Sequence, residues 1–142
     1  MTRLLLVEDN ELNRSLVRAI ISRTTEPRLA GAEVVEAETL GDARAALESG
    51  DFDVVLLDVH LPDGNGLDLA RDLARDRARD RARDRAHDRA PLSPRPGVIA
   101  LTAAAMAREQ SAAMEAGCDT FLAKPYTSGD LVQTIVNLLQ PL

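Results

Sequence analysis

Residues 54–66 read Val-Val-Leu-Leu-Asp-Val-His-Leu-Pro-Asp-Gly-Asn-Gly. The uninterrupted apolar run at 54–57 is typical of a strand that is buried on both faces of a parallel sheet. Asp58 follows directly and begins a loop whose proline and two glycines allow sharp bends, which bring backbone groups back toward the strand end. The stretch therefore predicts a central strand that ends in a carboxylate beside a tightly folded loop.

Four more segments have the composition of strands, and helical patterns lie between them. Residues 4–7 and 98–101 are further continuous apolar runs, and residues 33–36 and 120–123 are weaker candidates. In the predicted helices, apolar residues recur at spacings of three or four and so form one stripe on each helix. These stripes are Leu12, Leu16 and Ile20; Leu40, Ala43 and Leu47; and Leu131, Ile135 and Leu138.

The boundary signals agree with an alternation of strands and helices along the whole chain. Capping pairs at Thr39 with Asp42 and at Thr127 with Asp130 predict helix starts, and Gly50 and Gly117 stand where helices are expected to end. The expected fold is α/β, with a five-stranded parallel sheet covered by helices on both faces. A length of 142 residues suits a single domain over residues 1–142.

Composition excludes several classes of function. The net charge of −6 argues against general electrostatic binding to nucleic acid. A single cysteine, Cys118, and two histidines, His60 and His87, provide neither an internal disulfide nor a zinc-ligand spacing. No apolar run suits a membrane helix, and the first residues do not resemble a secretory signal. We therefore expect a cytoplasmic protein without membrane insertion.

The charge is unevenly distributed, because a low-complexity insert occupies residues 75–90. This insert reads RDRARDRARDRAHDRA and carries a net charge of +3, so the remaining 126 residues carry −9. By position it extends the third helix. A repeat of four residues does not match 3.6 residues per turn, so each repeat rotates its side chains by about 40° and no face stays apolar. We expect burial through Leu67, Leu69, Ala70 and Leu73, and projection into solvent beyond Asp76.

Two interpretations of the insert remain open. It is either an expansion of a short repeat, tolerated in a surface connection, or an arm that docks a partner or contacts nucleic acid. Its interspersed aspartates and its lack of aromatic residues count against nucleic acid.

Polar residues with a common chemistry stand at the carboxyl ends of the predicted strands. They are Glu8 and Asp9, Asp58, Thr102, and Lys124. In parallel sheets of this kind, ligands bind beyond the carboxyl ends of the strands. Clustered carboxylates become favourable around a hard cation such as Mg²⁺, and an ammonium beside the cation can help to hold an anion. A phosphoryl group fits best, with Asp58 as its acceptor.

Four ordered segments, LLLVEDN at 4–10, VVLLDVHLPDGNG at 54–66, VIALTA at 98–103 and FLAKP at 121–125, resemble the receiver domains of response regulators and hybrid histidine kinases. The resemblance covers essentially the whole chain except the insert. It implies a doubly wound, flavodoxin-like fold, and a phosphoacceptor signalling domain of a phosphorelay. Its implied partners are a histidine kinase or histidine phosphotransfer protein and a downstream protein target.

The resemblance also implies roles for individual residues. Asp9 and Asp58 would bind Mg²⁺ or Mn²⁺ directly, His60 would contribute its backbone carbonyl, and Glu8 would act mainly through water. Asp58 would take the phosphoryl group from a phosphohistidine, and Lys124 would pair with the phosphoryl oxygens. Two further residues would form the switch, with Thr102 moving to donate a hydrogen bond to the acyl phosphate and Phe121 following that movement.

Alternatives to this interpretation remain. Aspartate-nucleophile phosphatases use similar chemistry, but they place a second aspartate two residues after the first, where this chain has His60. A phosphorylation-independent interaction module would not need the complete polar set. We expect no conventional turnover. The alternative for Phe121 is a core residue, and for His60 an exposed loop residue. We expect Tyr126 to be a packing residue and Cys118 a small buried one. The segment 8–14 is similar to receivers of hybrid kinases and favours them over a free-standing regulator, which stays an alternative.

Overall fold

The computed structural model describes residues 2–86, 96–103 and 107–139. The elements, in chain order, are β1 (Arg3–Val7), α1 (Glu11–Arg23), β2 (Glu33–Ala37), α2 (Leu40–Ser49), β3 (Val54–Asp58), β4 (His60–Leu61), β5 (Gly64–Asn65), α3 (Gly66–Ala86), β6 (Gly97–Ala103), α4 (Ala107–Glu115), β7 (Thr120–Lys124) and α5 (Ser128–Leu138). The predicted five-strand alternation is confirmed. The small hairpin of β4 and β5 was not predicted.

The main sheet is parallel throughout, in the order β2-β1-β3-β6-β7. Its middle strands β1, β3 and β6 carry the longest apolar runs, because both of their faces are covered. Leu6 lies beside Leu56, which lies beside Ile99, and all three side chains are fully buried. The chain reverses its winding direction at β1 and β3, so the strand ends there open onto a crevice.

Each face of the sheet has its own apolar core. On one face, residues such as Leu5 and Val55 pack with side chains from α2, α3 and α4. On the other, Leu4 and Leu56 pack with side chains from α1 and α5. The expected covering of both faces by helices is confirmed.

The predicted apolar stripe of α1 is wrong for Leu12 and Leu16, whereas Ile20 is partly buried and packs against the core. Leu12 and Leu16 are 77% and 51% exposed, whereas the buried residues of this helix are Arg14, Val17 and Ile21. These three also recur at spacings of three and four, but an arginine interrupts the apolar pattern. Arg14 is buried because its guanidinium pairs with Glu11 and with glutamates on and after β2, so its charge is compensated inside the protein.

The predicted helix ends agree with the structure. The Thr39 hydroxyl accepts from the backbone N–H of Asp42, and Thr127 and Asp130 form a reciprocal capping box. Gly117 follows α4 with φ of +98°, a conformation that favours glycine. Gly50 caps the end of α2 in an extended conformation.

Helix α3 begins under the end of β3 and includes the charged insert as far as Ala86. Its first turns are buried through Leu67, Leu69, Ala70 and Leu73, as expected. The rest of the insert, residues 87–90 with His87, lies outside the described residues. Among the described residues, no helix is both long and apolar enough to cross a membrane.

The loop after β3 is held closely against the strand it follows. The backbone N–H of Gly66 donates to the carbonyl of Val59 at 2.7 Å. Asp63 accepts from the backbone N–H groups of Leu40 and Gly41 at 2.8 and 3.1 Å, which fixes the loop to the start of α2. These bonds hold the pKa of Asp63 below its ordinary value. The sharp return of the chain predicted for this loop is therefore present.

Gly66→Ala is expected to destabilise the protein, because a Cβ at this position would lie 2.1 Å from the Asp58 carbonyl oxygen. The loss should be about 1–3 kcal/mol, as for other overpacked sites. Gly129→Ala is the matched control, since the nearest atom to its Cβ is 3.8 Å away. Urea denaturation checks both. Equal stability of the two variants would contradict the assigned role of the close approach.

Candidate functional site

Three carboxylates meet at the carboxyl edge of the sheet. Glu8 and Asp9 follow β1, and Asp58 is the last residue of the neighbouring strand β3. Val7 lies beside Leu57 in the parallel register, so the next residues of both strands reach the same point. One oxygen of each carboxylate lies within 4.8 Å of the others. Glu8 and Asp58 are buried and Asp9 is exposed, so the cluster opens to solvent on the side of Asp9.

Lys124 supplies positive charge to this cluster. It is the last residue of β7, at the far side of β6, and its peptide bond to Pro125 is cis. Its Nζ lies 3.3 Å from Glu8 Oε2 and 3.5 Å from Asp58 Oδ2. One ammonium cannot balance three carboxylates, so the site retains an excess of negative charge.

The pKa values of the two buried carboxyl groups, Asp58 and Glu8, are shifted in opposite directions. Burial raises the pKa of Asp58 to about 6, and the adjacent Glu8 adds to that increase. Burial also acts to raise the pKa of Glu8, but hydrogen bonds with Asp58, Asn13 and Lys124 outweigh it and hold this pKa below its ordinary value. As the pH rises, Glu8 therefore loses its proton before Asp58 does.

Thr102 lies in the cleft beside Asp58, and its hydroxyl is unpartnered within the described part of the chain. Its side chain is 1% exposed, and its Oγ1 has no hydrogen-bond partner among the described residues. The cleft has a volume of about 410 Å³, and Asp58, Thr102 and Lys124 all line it. A buried hydroxyl without a partner is costly unless a ligand oxygen can meet it. The cleft thus combines an oxygen nucleophile, an ammonium and an unused donor.

Several contacts keep the acidic pair in place, and the sequence analysis did not identify them. The side-chain amide of Asn13 donates to Glu8 Oε1 at 2.8 Å. Buried Arg14 donates to the Glu8 backbone carbonyl at 2.9 Å. The backbone N–H of His60 donates to Asp58 Oδ1 at 3.2 Å. Asn13 and Arg14 come from the first turns of α1, so this helix positions the β1 end of the site.

Glu109 lines the cleft together with Asp58, and it was not predicted from the sequence. It lies in the first turn of α4, and its side chain is 9% exposed. Its Oε1 accepts from the backbone N–H of Ala103, and its Oε2 lies 3.1 Å from Nε2 of His60. No motif indicates it, because it belongs to a helix rather than to a strand end. Its proximity to the site depends on how α4 packs over β6.

The remaining predicted residues lie near the site or in the core. His60 is the first residue of β4, and its side chain is 79% exposed. Phe121 is half-buried on β7 and packs against the core on the α2 side. Tyr126 lines the cleft and packs on the α5 side, where burial and the charges of Glu8 and Asp58 raise its pKa. Cys118 is buried, which raises the pKa of its thiol to about 11 and confirms the interpretation of a small buried residue.

Comparisons with known proteins agree with this geometry. The sequence profile described as the response regulator receiver domain matches residues 4–136. The KDP operon transcriptional regulatory protein KdpE of Escherichia coli is 32% identical over 92% of this chain and 48% of its own length. The sensor protein GacS of Pseudomonas syringae is 34% identical over 94% of this chain and 13% of its own length. The chain therefore spans half or less of these curated relatives.

Solved structures match over nearly the full chain. A putative response regulator from Chloroflexus aurantiacus has 25% identity and a TM-score of 0.76, with 96% of each chain covered. The receiver domain of a sensor histidine kinase from Pseudomonas aeruginosa has 27% identity and a TM-score of 0.71, again with 96% of each chain covered. That structure contains a magnesium ion coordinated in its active-site cleft. From its four ordered motifs, its strand order and these matches, we conclude that the chain belongs to the response regulator receiver domain family.

Proposed function

We propose that Asp58 accepts a phosphoryl group from a phosphohistidine on a histidine kinase or a histidine phosphotransfer protein, and that residues 1–142 act as one receiver domain. The observation that carries this proposal is the cleft itself. It places the Asp58 carboxylate beside an ammonium, Lys124, and beside the unpartnered hydroxyl of Thr102. An anion bound to Asp58 would satisfy both groups.

We further propose that the protein acts in the cytoplasm and that the charged insert at residues 75–90 takes no part in the chemistry.

The transfer requires positioning more than further chemistry. An oxygen of Asp58 attacks the phosphorus, the P–N bond of the phosphohistidine breaks, and the imidazole nitrogen leaves with the electron pair and later takes up a proton. Lys124 is placed to neutralise the phosphoryl oxygens, because its Nζ is already 3.5 Å from Asp58 Oδ2. Phosphoryl transfer depends mainly on such alignment and charge neutralisation.

The acidic cluster fits a hard divalent cation. Carboxylate oxygens of Glu8, Asp9 and Asp58 converge within 4.8 Å, and the one nearby ammonium leaves negative charge uncompensated. In the proposal, Asp9, Asp58 and the backbone carbonyl of His60 hold Mg²⁺ or Mn²⁺, and Glu8 acts mainly through water. When bound, such a cation would neutralise charge on the phosphoryl oxygens.

Phosphorylation of Asp58 then acts as a switch. The Thr102 hydroxyl turns to donate to the phosphoryl group, Phe121 follows this movement on β7, and the protein shifts toward a conformation that a downstream protein binds. Such a domain transfers its signal through a surface rather than through turnover. The phosphatase alternative is not favoured, because His60 stands where those enzymes carry a second aspartate.

Acetyl phosphate with Mg²⁺ should add one phosphoryl group to the protein, as its P–O bond to acetate breaks and acetate leaves. The product should be sensitive to base and hydroxylamine, as an acyl phosphate is, and Asp58→Asn should abolish it. Asp51→Asn is the control, because Asp51 is exposed and precedes β3 at the opposite edge of the sheet. Intact-mass measurement checks all three proteins. Absence of labelling in the unaltered protein would overturn the proposed function.

Thr102→Val should leave the unmodified protein as stable or more stable, because the hydroxyl it removes is buried and has no partner in residues 2–86, 96–103 and 107–139. The same change should destabilise the phosphorylated protein by about 1–3 kcal/mol, since a hydrogen bond to a charged group is lost there. Melting temperatures with and without beryllium fluoride, a mimic of the phosphoryl group, separate the two effects. Thr102→Ser, which retains the hydroxyl, should restore most of the stabilisation by beryllium fluoride. An equal response in Val and Ser variants would contradict the role of the hydroxyl.

The stability of the metal-free protein should depend on Asp58 and pH. Its pKa is raised from 3.8 in the unfolded chain to about 6 in the folded protein. The protonated Asp58 carboxyl therefore contributes to the stability of the folded protein. This contribution is fully present below pH about 4 and is lost as the pH rises through about 6. Asp58→Asn should therefore raise the free energy of unfolding at pH 8 by about 1–3 kcal/mol, and far less at pH 4.5.

Thermal denaturation at the two pH values, in the presence of a chelator, measures this difference. Adding Mg²⁺ at pH 8 should stabilise the unaltered protein and reduce the advantage of the variant. A variant that gained equal stability at both pH values would show that repulsion in the ionised cluster is not the cause.

A further inference from the structure

We propose that Glu109 competes with the phosphoryl group for the cleft, because its carboxylate occupies a backbone donor beside Thr102, and that its departure limits how readily Asp58 is phosphorylated. The inference rests on the proposed function of Asp58. It adds a residue from α4 that acts directly in the cleft.

The contacts of Glu109 are those of a bound anion. One carboxylate oxygen accepts from the backbone N–H of Ala103 at 3.1 Å, and the other lies 3.1 Å from the His60 ring. Ala103 is the last residue of β6 and directly follows Thr102, so its N–H lies beside the unpartnered hydroxyl. Ala103, His60 and Glu109 line the same cleft as Asp58 and Lys124. The Glu109 carboxylate thus holds a donor that an oxygen of a group bound to Asp58 could otherwise use.

The charge balance of the cleft makes this arrangement conditional. The side chain of Glu109 is 9% exposed, in a cleft that is also lined by Asp58 of the acidic cluster. Lys124 is the only lysine or arginine among the described residues that line the cleft. A phosphoryl group on Asp58 would add further negative charge beside Glu109. Like charges in a poorly solvated site repel strongly. Phosphorylation of Asp58 therefore favours a conformation in which the Glu109 side chain has left the cleft.

The departure of Glu109 would have a consequence beyond the cleft. Glu109 belongs to the first turn of α4, and its contacts with Ala103 and His60 connect this helix to β6 and to the loop after β3. Loss of both contacts frees the start of α4 from the site. The competition therefore couples the state of Asp58 to the position of a helix.

A purely structural role for Glu109 predicts a different outcome. A carboxylate in the first turn of a helix interacts favourably with the helix dipole, whatever else it does. If that were its whole role, Glu109→Gln would lower stability and leave the phosphorylation rate of Asp58 unchanged. If Glu109 competes with the phosphoryl group, removal of its charge should make phosphorylation faster and binding of an anionic mimic tighter.

The experiment compares the full chain with Glu109→Gln and with Glu115→Gln, which removes the same charge from the exposed end of α4, outside the cleft. Phosphorylation rates are measured with acetyl phosphate and Mg²⁺, and dissociation constants with beryllium fluoride and Mg²⁺ by fluorine NMR. We expect Glu109→Gln to increase the rate and the affinity about three- to tenfold, as for one neighbouring charge in a partly solvated site. Glu115→Gln should match the unaltered protein within about twofold.

The outcomes separate the inference from the function on which it rests. If the unaltered protein is labelled at Asp58 but Glu109→Gln is no faster, or if Glu115→Gln is accelerated equally, the inference fails and the proposed function stands. If none of the three proteins is labelled, both fail. A faster and tighter Glu109→Gln, with an unchanged Glu115→Gln, supports the competition.

Discussion

The close approach of two carboxyl groups, Glu8 and Asp58, is the constraint around which the rest of the site is arranged. Parallel pairing of β1 and β3 brings them together, and burial makes their mutual repulsion costly. The compensation comes from neighbouring elements, namely Asn13 and Arg14 on α1 and the backbone N–H of His60, and from Lys124 on β7, which is distant in the chain. Every one of these contacts depends on the sheet being intact, so the geometry of the site is a property of the whole fold.

Much of the fold could be predicted from the sequence because the middle strands are buried on both faces. The runs at 4–7, 54–57 and 98–101 are uninterrupted, and no helix in a half-exposed position would tolerate them. The polar residues after these runs indicated one edge of the sheet, and the structure brings Glu8, Asp58, Thr102 and Lys124 together there. Parallel strands in register make this step predictable, since their ends coincide.

What could not be predicted is set by contacts between elements that are distant in sequence. The buried face of α1 was missed because Arg14 counts as polar in any apolar pattern, and only its glutamate partners around β2 allow it to be buried. Glu109 was missed for a related reason. Its neighbours, Ala103 and His60, lie on other elements, and nothing in the local sequence of α4 distinguishes it from a solvent-exposed glutamate.

Helix α3 starts where Gly66 approaches the Asp58 carbonyl and continues for 21 residues, a length of about 30 Å. The charged repeat therefore lies in the part of the helix that is remote from the site. Each additional Arg-Asp-Arg-Ala unit would add one positive charge and, where helical, about 6 Å of length. Gain or loss of whole units, as happens when DNA repeats slip during replication, would thus alter the length and charge of the domain without changing the residues of the candidate site. The length of this helix could therefore change in evolution independently of that site.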